Sequence, residues 1–210
     1  MAYPQLDALF NAAASGLTRR SCALGLARDD CIAILAANSD EFLAAAFRCV
    51  RRHACRLRLY ADQLQVPAGI FLYTSGSTGR PKDVVLSHAG HIWATGKRIE
   101  GQDYSTQQLL VAAPLYHMNG LAIAQLAMRA DATLVVLPQF NAREYISAIE
   151  TWRCTWLTAV PPMLAMMLQK QEAMKRADLS SVQFIRMGSA ALSASLLARI
   201  HAALPGQGGQ

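Results

Sequence analysis

The chain has 210 residues, a formal net charge of +6, a hydrophobic fraction of 53% and a charged fraction of 16%. This composition excludes an intrinsically disordered protein, and the length suffices for one domain with a substantial core. The longest apolar runs, such as residues 109–115, are too short to span a bilayer, so we expect no transmembrane segment. The N-terminus has no basic region followed by an apolar segment, which predicts a cytoplasmic protein.

Helix-like and strand-like segments alternate through the first half of the chain. Asn38 and Glu41 have the spacing of a capping box, which predicts that a helix begins there. The apolar pattern predicts helices at residues 6–17, 38–50 and 87–98, and strands at residues 31–35, 56–60, 70–73 and 84–86.

The second half repeats this alternation. We predict helices at residues 119–129, 141–152, 161–175 and 193–203, and strands at residues 109–112, 132–137, 156–158 and 184–187. Asn141, with Glu144 three residues later, and Ser193 are predicted to cap two of these helices. Methionines at helical spacing in segment 161–175 are predicted to pack in the core: Met163, Met166, Met167 and Met174. The alternation implies an α/β fold with a mostly parallel sheet and flanking helices.

Basic side chains are concentrated in one segment. They are Arg48, Arg51, Arg52, His53, Arg56 and Arg58. Such a cluster can bind nucleic acid or anionic lipid, but no nucleic-acid-binding module accompanies it here. Arg56 and Arg58 alternate with leucines, as on one face of a strand. We therefore predict a solvated helix end that leads into a strand, and no nucleic-acid partner.

The cysteines show no paired framework in a chain of this length, which predicts reduced thiols. They are Cys22, Cys31, Cys49, Cys55 and Cys154. Cys49, His53 and Cys55 are candidate metal ligands, but no second ligand pair follows at the spacing of a zinc site. We predict no metal site formed by these residues.

Residues 71–88 read F-L-Y-T-S-G-S-T-G-R-P-K-D-V-V-L-S-H, a Gly-, Ser- and Thr-rich loop between two apolar runs. Glycines let successive backbone N–H groups turn toward an anion, hydroxyls donate further hydrogen bonds, and Lys82 adds a positive charge. The pattern predicts a phosphate-binding loop, with an ordinary turn between strands as the alternative. It is not a Walker motif, because Gly76 and Gly79 are too close together and Lys82 follows Pro81.

Six segments, in order along the chain, resemble the N-terminal domain of the AMP-forming acyl-adenylate enzymes, a family of acyl-CoA synthetases, aryl-CoA ligases, luciferases and peptide-synthetase adenylation domains. Residues 71–88 resemble the phosphate loop of this family, P-L-Y-H-M-N-G at residues 114–120 resembles P-L-F-H-x-x-G, and M-G-S-A-A-L at residues 187–192 resembles the G-G-A-P-L strand end. The other similar segments are residues 2–7, 33–42 and 158–162, the last with the sequence T-A-V-P-P.

The resemblance implies the family reaction. A carboxylate attacks the α-phosphorus of ATP to give acyl-AMP and pyrophosphate, and coenzyme A then takes the acyl group as a thioester. The resemblance implies that His117 lies beside the carboxylate and the α-phosphate, that Lys82 assists catalysis, and that Gly120 and Gly188 contribute to substrate binding. The residues expected to hold the ATP phosphates are Thr74, Ser75, Gly76, Ser77, Thr78, Gly79 and Lys82. The residues expected to form a backbone surface against adenine are Ser189, Ala190 and Ala191.

The resemblance also suggests a substrate class. Amino-acid-activating members carry an aspartate near the P-L-Y-H segment to hold the substrate ammonium, whereas this chain has Met118 and Asn119 there. We therefore expect a fatty or aromatic acid with an uncharged tail. The expected small molecules are that acid, ATP and coenzyme A, with Mg²⁺ as a cofactor.

Several parts of the family pattern are absent from the sequence. The chain ends before the Y-G-x-T-E motif, so the Mg²⁺-associated glutamate, the ribose-binding T-G-D aspartate and the C-terminal lid are expected to be missing. Residues 60–70 join segments between which the family has several further elements, and Asp83 replaces a glycine where its charge would oppose the triphosphate. We expect residues 1–210 to form a partial AMP-binding domain, shortened near residues 60–70, with impaired or no activity.

Two alternatives stay open at this point. The chain is a non-catalytic module that binds nucleotide or a partner through the retained loop, or it is the product of a decayed gene fragment. A separate chain that supplies the missing C-terminal part is a further possibility for a catalytic assembly.

Overall fold

The computed structural model describes residues 37–51, 68–74, 82–188 and 190–204, together with residues 8 and 12. The chain divides into two compact units, Met1–Lys97 and Arg98–Gln210. Most of the predicted helix at residues 6–17 and the predicted strands at residues 31–35 and 56–60 lie outside the described residues.

The described part of the first unit contains helices and a two-stranded antiparallel sheet. The elements are α1 (Asp40–Arg51), β1 (Ala68–Thr74), β2 (Lys82–Ser87) and α2 (His88–Ile99), which ends just beyond the unit. β1 and β2 form a hairpin, so the two strands predicted around the Gly-rich loop are confirmed but run antiparallel.

The predicted cap of α1 is wrong by one residue. The backbone N–H of Phe42 donates to the hydroxyl of Ser39 at 3.1 Å, so Ser39 and not Asn38 caps the helix. A serine three residues before an N–H has the reach for this bond, and the helix consequently begins at Asp40.

The second unit is a four-stranded parallel sheet with helices between its strands. Its elements are β3 (Gln108–Val111), α3 (Met118–Arg129), β4 (Thr133–Val136), α4 (Ala142–Thr151), β5 (Trp156–Ala159), α5 (Pro161–Leu168), α6 (Gln171–Arg176), β6 (Phe184–Met187) and α7 (Ala194–Ala203). The strand order is β4-β3-β5-β6, and every pair is parallel. The predicted α/β fold with a parallel sheet is confirmed.

Both faces of this sheet bury apolar side chains. On one face Leu110, Leu157 and Ile185 pack in a core with Tyr145, Leu164 and other residues from the helices α4, α5 and α7. On the other face Leu109 and Val111 are fully buried, and α3 contacts β3, β4 and β5. The sheet thus lies between two apolar layers.

The helix caps of this unit follow the sequence signals. The side-chain oxygen of Asn141 accepts from the N–H groups of Arg143 at 2.9 Å and Glu144 at 3.3 Å. The hydroxyl of Ser193 accepts from the N–H of Leu196 at 3.2 Å. The predicted starts of α4 and α7 are therefore confirmed, because each has a short polar side chain that satisfies first-turn donors.

Three details of the second unit differ from the predictions. The helix predicted at residues 161–175 is two helices, because the chain leaves the helical path between α5 and α6. Met163 and Met167 are buried as predicted, but Met166 is 49% exposed on the outer side of α5. β4 has an apolar sequence, which is typical of a buried strand, but it lies at the edge of the described sheet and its residues are exposed or half-buried.

A network of polar side chains joins the amino ends of β3, β5 and β6. The hydroxyl of Thr155 accepts from the N–H of Gln108 at 2.9 Å and donates to the side-chain oxygen of Gln107 at 2.6 Å. The amide nitrogen of Gln107 donates to the side-chain oxygen of Gln183 at 3.3 Å, and the N–H of Gln183 donates to the carbonyl of Thr155 at 2.8 Å. These bonds connect the starts of β3, β5 and β6.

Replacement of Thr155 by valine tests this network. Thr155→Val keeps the side-chain shape but leaves the N–H of Gln108 without its hydroxyl acceptor, so we expect a loss of about 1–3 kcal/mol of unfolding free energy. Urea denaturation measures it. The matched control is Thr133→Val at the exposed start of β4, with an expected change within about 0.5 kcal/mol. Equal stability of the two variants would contradict this account.

A second polar group secures the loop before β6. The carboxylate of Asp178 accepts from the backbone N–H of Ser180 at 3.0 Å and pairs with the guanidinium of Arg153, while the N–H of Asp178 donates to Glu150 at 3.0 Å. The hydroxyl and N–H of Ser180, followed by Arg153, lower the pKa of Asp178 to about 2. The ionised carboxylate is therefore the form that the folded loop favours.

This shift predicts a pH-dependent contribution to stability. The pKa of Asp178 is below its ordinary value of 3.8, so its contribution is present above that pH and is lost as the pH falls toward about 2. We expect Asp178→Asn to lower the urea midpoint at neutral pH, and the difference from wild type to shrink across that acid range. A difference that stays constant from neutral pH to about pH 3 would refute the assignment.

Candidate functional site

The loop predicted to bind phosphate joins two strands that pair with each other. Thr74 at the end of β1 lies opposite Lys82 at the start of β2. The two ends of the loop at residues 75–81 are therefore neighbours in the hairpin. The loop residues Ser75, Gly76, Ser77, Thr78 and Gly79 lie outside the described residues, and their role in phosphate binding stays a prediction.

Asp83 occupies the strand position after Lys82, opposite Tyr73. The effect of Asp83 on a bound triphosphate stays a prediction.

The parallel sheet brings most other predicted residues to one edge. Residues 112–120 follow β3, residues 160–162 follow β5 and residues 188–193 follow β6, and we call this edge the carboxyl edge. Five predicted site residues lie in these segments: His117, Gly120, Gly188, Ala190 and Ala191. Ser189 lies outside the described residues. Open parallel sheets bind ligands at the carboxyl ends of their strands, so the topology suits the predicted roles.

His117 precedes the first turn of α3 in an extended conformation, with φ −100° and ψ 148°. Its backbone N–H donates to the carbonyl of Pro114 at 3.0 Å, and its carbonyl accepts from Leu121 at 3.0 Å. The side chain is exposed and forms no capping hydrogen bond, and its ring centroid lies 4.7 Å from that of Tyr116. The backbone of His117 is thus fixed, while its imidazole stays accessible to a ligand.

Gly120 and Gly188 have different structural roles. A Cβ atom at Gly120 would lie 2.7 Å from the carbonyl oxygen of Pro114 and 2.9 Å from that of Ala113, so α3 approaches the preceding loop too closely for any other residue. A Cβ atom at Gly188 would meet no atom within 4 Å. Gly120 is therefore required by packing, whereas the described surroundings of Gly188 leave space.

Sequence reasoning missed three polar groups near the carboxyl edge. Thr158 is fully buried, and its hydroxyl has no hydrogen-bond partner in the described part of the chain. The Nη1 of Arg186 and the Nδ2 of Asn119 are also buried without a partner among the described residues. Thr158 lies directly opposite Arg186 in the β5–β6 register. The sequence contained one indication of this pair, because Arg186 interrupts the otherwise apolar strand sequence F-I-R-M. The strand prediction gave that arginine no role.

The electrostatic surroundings of Arg186 disfavour its own charge. Burial lowers the pKa of Arg186, and the positive charge of Arg98 lowers it further. No ion pair with Arg186 occurs among the described residues; those present join Arg153 to Asp178, and Lys175 and Arg176 to Glu172. A half-buried guanidinium without a counter-ion is unusual, because buried charges are normally paired.

The family follows from comparison of the sequence. The sequence model of the AMP-binding enzyme family matches residues 67–210. The chain belongs to this family. The matched range includes the β1–β2 hairpin, His117, Gly120 and the segment after β6, and therefore every residue to which the resemblance gave a role.

Curated members of the AMP-binding enzyme family are similar to this chain over part of their length. The chain is 34% identical over 139 residues to 4-coumarate–CoA ligase 2 of Oryza sativa subsp. japonica, an alignment that covers 63% of this chain and 24% of that protein. It is 35% identical over 134 residues to indoleacetate–CoA ligase of Aromatoleum aromaticum, which covers 63% and 26%. The chain spans about a quarter of the length of these relatives.

Solved structures of the family share the fold. The N-terminal domain of FACL13 from Mycobacterium tuberculosis superposes with a TM-score of 0.81 at 24% identity, over 96% of this chain and 66% of that one. O-succinylbenzoate coenzyme A synthetase from Bacillus subtilis, in complex with AMP, superposes with a TM-score of 0.77 at 19% identity, over 97% and 65%. The predicted N-terminal-domain fold of adenylate-forming enzymes is thereby confirmed.

Enzymes of this family that make CoA thioesters generally use ATP, Mg²⁺ and coenzyme A. Within the described ranges, no group of three or more His, Cys, Asp and Glu side chains is placed to hold a metal ion. We therefore assign no residue to Mg²⁺. No helix among the described residues has the length and apolar character that crossing a membrane requires.

Alanine substitutions at Gly120 and Gly188 test whether only Gly120 is required by packing. Gly120→Ala places a methyl group against two backbone carbonyls, so we expect a loss of about 1–3 kcal/mol of unfolding free energy in urea denaturation. Gly188→Ala meets open space, and its stability should change by less than about 0.5 kcal/mol. A Gly120→Ala variant as stable as Gly188→Ala would show that α3 can move away from the loop.

Proposed function

We propose that this chain provides the phosphate-binding and acid-activating part of an AMP-forming acid–CoA ligase. One observation carries the proposal. The T-S-G-S-T-G-R-P-K loop connects the paired strand ends Thr74 and Lys82, within the range that the AMP-binding enzyme family matches. A loop with fixed ends loses less conformational entropy when it closes around a phosphate.

The proposed roles follow the expectations from the resemblance. The loop amides and hydroxyls bind the β- and γ-phosphates, and Lys82 neutralises charge on the leaving pyrophosphate. His117 lies beside the carboxylate and the α-phosphate, and its exposed imidazole supports that role. The helix dipole at the start of α3 favours negative charge nearby. Gly120 and Gly188 border the acid, and residues 189–191 lie along the adenine.

The proposed first step requires orientation more than covalent help from the protein. The carboxylate oxygen forms a bond to the α-phosphorus, and the bond from that phosphorus to the bridging oxygen of pyrophosphate breaks. Charge accumulates on the pyrophosphate, where Lys82 and the loop would stabilise it. In the second step the coenzyme A thiol attacks the acyl carbon, and AMP leaves.

We propose an aromatic or fatty acid as the substrate. Met118 and Asn119 offer no carboxylate for a substrate ammonium, which disfavours an amino acid. The names of two similar proteins, 4-coumarate–CoA ligase and indoleacetate–CoA ligase, refer to aromatic acids and support the aromatic choice.

Calorimetric titration with ATP tests the proposal. Lys82→Ala removes the cation proposed to pair with the phosphates, so ATP affinity should fall by about tenfold or more. Lys175→Ala on the exposed surface of α6 is the matched control and should leave the affinity unchanged. No ATP binding by a wild-type chain that unfolds cooperatively would refute the proposal.

A pyrophosphate-exchange assay with 4-coumarate separates the remaining alternatives. ATP binding with exchange indicates that the chain activates an acid, while ATP binding without exchange favours a non-catalytic nucleotide-binding module. A wild-type chain without a cooperative thermal transition favours the product of a decayed gene fragment.

A further inference from the structure

Some polar side chains of the parallel sheet have hydrogen-bond partners, whereas others, including the Nε1 of Trp156 at the start of β5, have none among the described residues. At the amino edge the Gln107, Thr155 and Gln183 side chains bond to one another and to backbone groups. Near the carboxyl edge the buried Thr158 hydroxyl and Arg186 Nη1 have no partner among the described residues. Buried polar groups are normally satisfied, so each exception calls for a specific explanation.

Thr158 and Arg186 form a pair with a defined geometry. They lie opposite each other on the parallel strands β5 and β6, and paired positions share one face of the sheet. The same row continues through Val111 of β3, which is fully buried. The row therefore presents a hydroxyl and a guanidinium beside an apolar wall, one residue before each strand ends.

The chemistry of the missing partner follows from these groups. A guanidinium donates hydrogen bonds and accepts none, and a threonine hydroxyl donates one. The group that satisfies both is an acceptor, and the positive charges of Arg186 and nearby Arg98 favour an anion. Since an arginine fork matches a carboxylate, a carboxylate fits this position well.

We propose that Thr158 and Arg186 form a subsite for a second carboxylate of the acid substrate, remote from the carboxylate that is activated. This inference rests on the proposed function and narrows it to dicarboxylic acids. A dicarboxylic acid differs from the uncharged tail that we expected from Met118 and Asn119. That expectation considered only the segment after β3, whereas the charge that would bind the second carboxylate is Arg186 on β6. Asn119, with its buried and unpartnered Nδ2 at the same edge, is a further donor available to such an acid.

Aromatic neighbours on the same face support a planar acid. Trp156 and Phe184 occupy the row before Thr158 and Arg186, with ring centroids 5.2 Å apart. Tyr104 lies 5.6 Å from Trp156. A ring placed along this row would have aromatic contacts behind it and the Arg186 guanidinium at its end.

A pair of matched acids tests the subsite by calorimetry at neutral pH. Terephthalate and 4-methylbenzoate share a ring and an activated carboxylate and differ in the para group. The wild-type chain should bind terephthalate about tenfold or more tightly than 4-methylbenzoate, the scale of a charge-assisted hydrogen bond. Arg186→Met should remove this preference and leave the affinity for 4-methylbenzoate within about twofold. Arg143→Met, at an exposed position of α4, is the control and should keep the preference for terephthalate.

Thermal unfolding separates ligand binding from a structural role. Without ligand, Arg186→Met should melt at the same or a higher temperature than wild type, because it removes a partly buried charge for which the described residues provide no counter-ion. Terephthalate should raise the melting temperature of wild type and not of the variant. A lower melting temperature of the variant, together with an unchanged preference for terephthalate, would overturn the subsite and make Arg186 structural.

Parallel titrations with ATP, AMP and coenzyme A distinguish the possible failures. If ATP binds and the wild type does not distinguish the two acids, the subsite is wrong and the proposed function stands. If Arg186→Met weakens AMP or coenzyme A and leaves terephthalate unchanged, the anion held there is a phosphate and the dicarboxylic acid is refuted. If ATP does not bind, the proposed function fails, and the subsite fails with it.

Discussion

Parallel pairing of β3, β5 and β6 is the constraint on which the second unit depends. Parallel strands are joined by crossovers, so every segment that follows a strand leaves from the same edge of the sheet. The bonds among Gln107, Thr155 and Gln183 fix the strand starts. With the starts in register, Thr158 lies opposite Arg186, and the loops that carry His117 and Gly188 leave from one edge. The positions of the candidate functional residues thus follow from hydrogen bonds at the opposite end of the strands.

In the first unit the predicted phosphate loop is held by an antiparallel hairpin and not by a parallel sheet. An antiparallel hairpin joins its strands directly, so the chain enters and leaves the loop at the paired residues Thr74 and Lys82. The two strand ends beside the loop are therefore neighbours, in contrast to the loops of the carboxyl edge, which lead into helices. This arrangement suits a loop whose backbone N–H groups are proposed to surround an anion, because paired ends lower the entropy that the loop loses on binding.

The elements of the second unit were predictable where each carried a complete local signal. α4 and α7 begin directly after their predicted caps, Asn141 and Ser193, and β6 coincides with its apolar run. The break between α5 and α6 was not predictable, because the apolar spacing continues on both sides of it. The edge position of β4 also escaped prediction, since an apolar run does not distinguish an edge strand from a central one.

The candidate site divides in the same way. His117 and Gly120 belong to a contiguous motif, so the sequence alone indicated them. The pairing of Thr158 with Arg186 depends on the register between strands distant in sequence, which no local pattern contains. A cation in a strand costs stability unless something pairs with it, and the fold provides no such group among the described residues. Thr158 and Arg186 therefore stand out among the buried polar side chains of the sheet because they lie opposite each other and both lack a partner among the described residues.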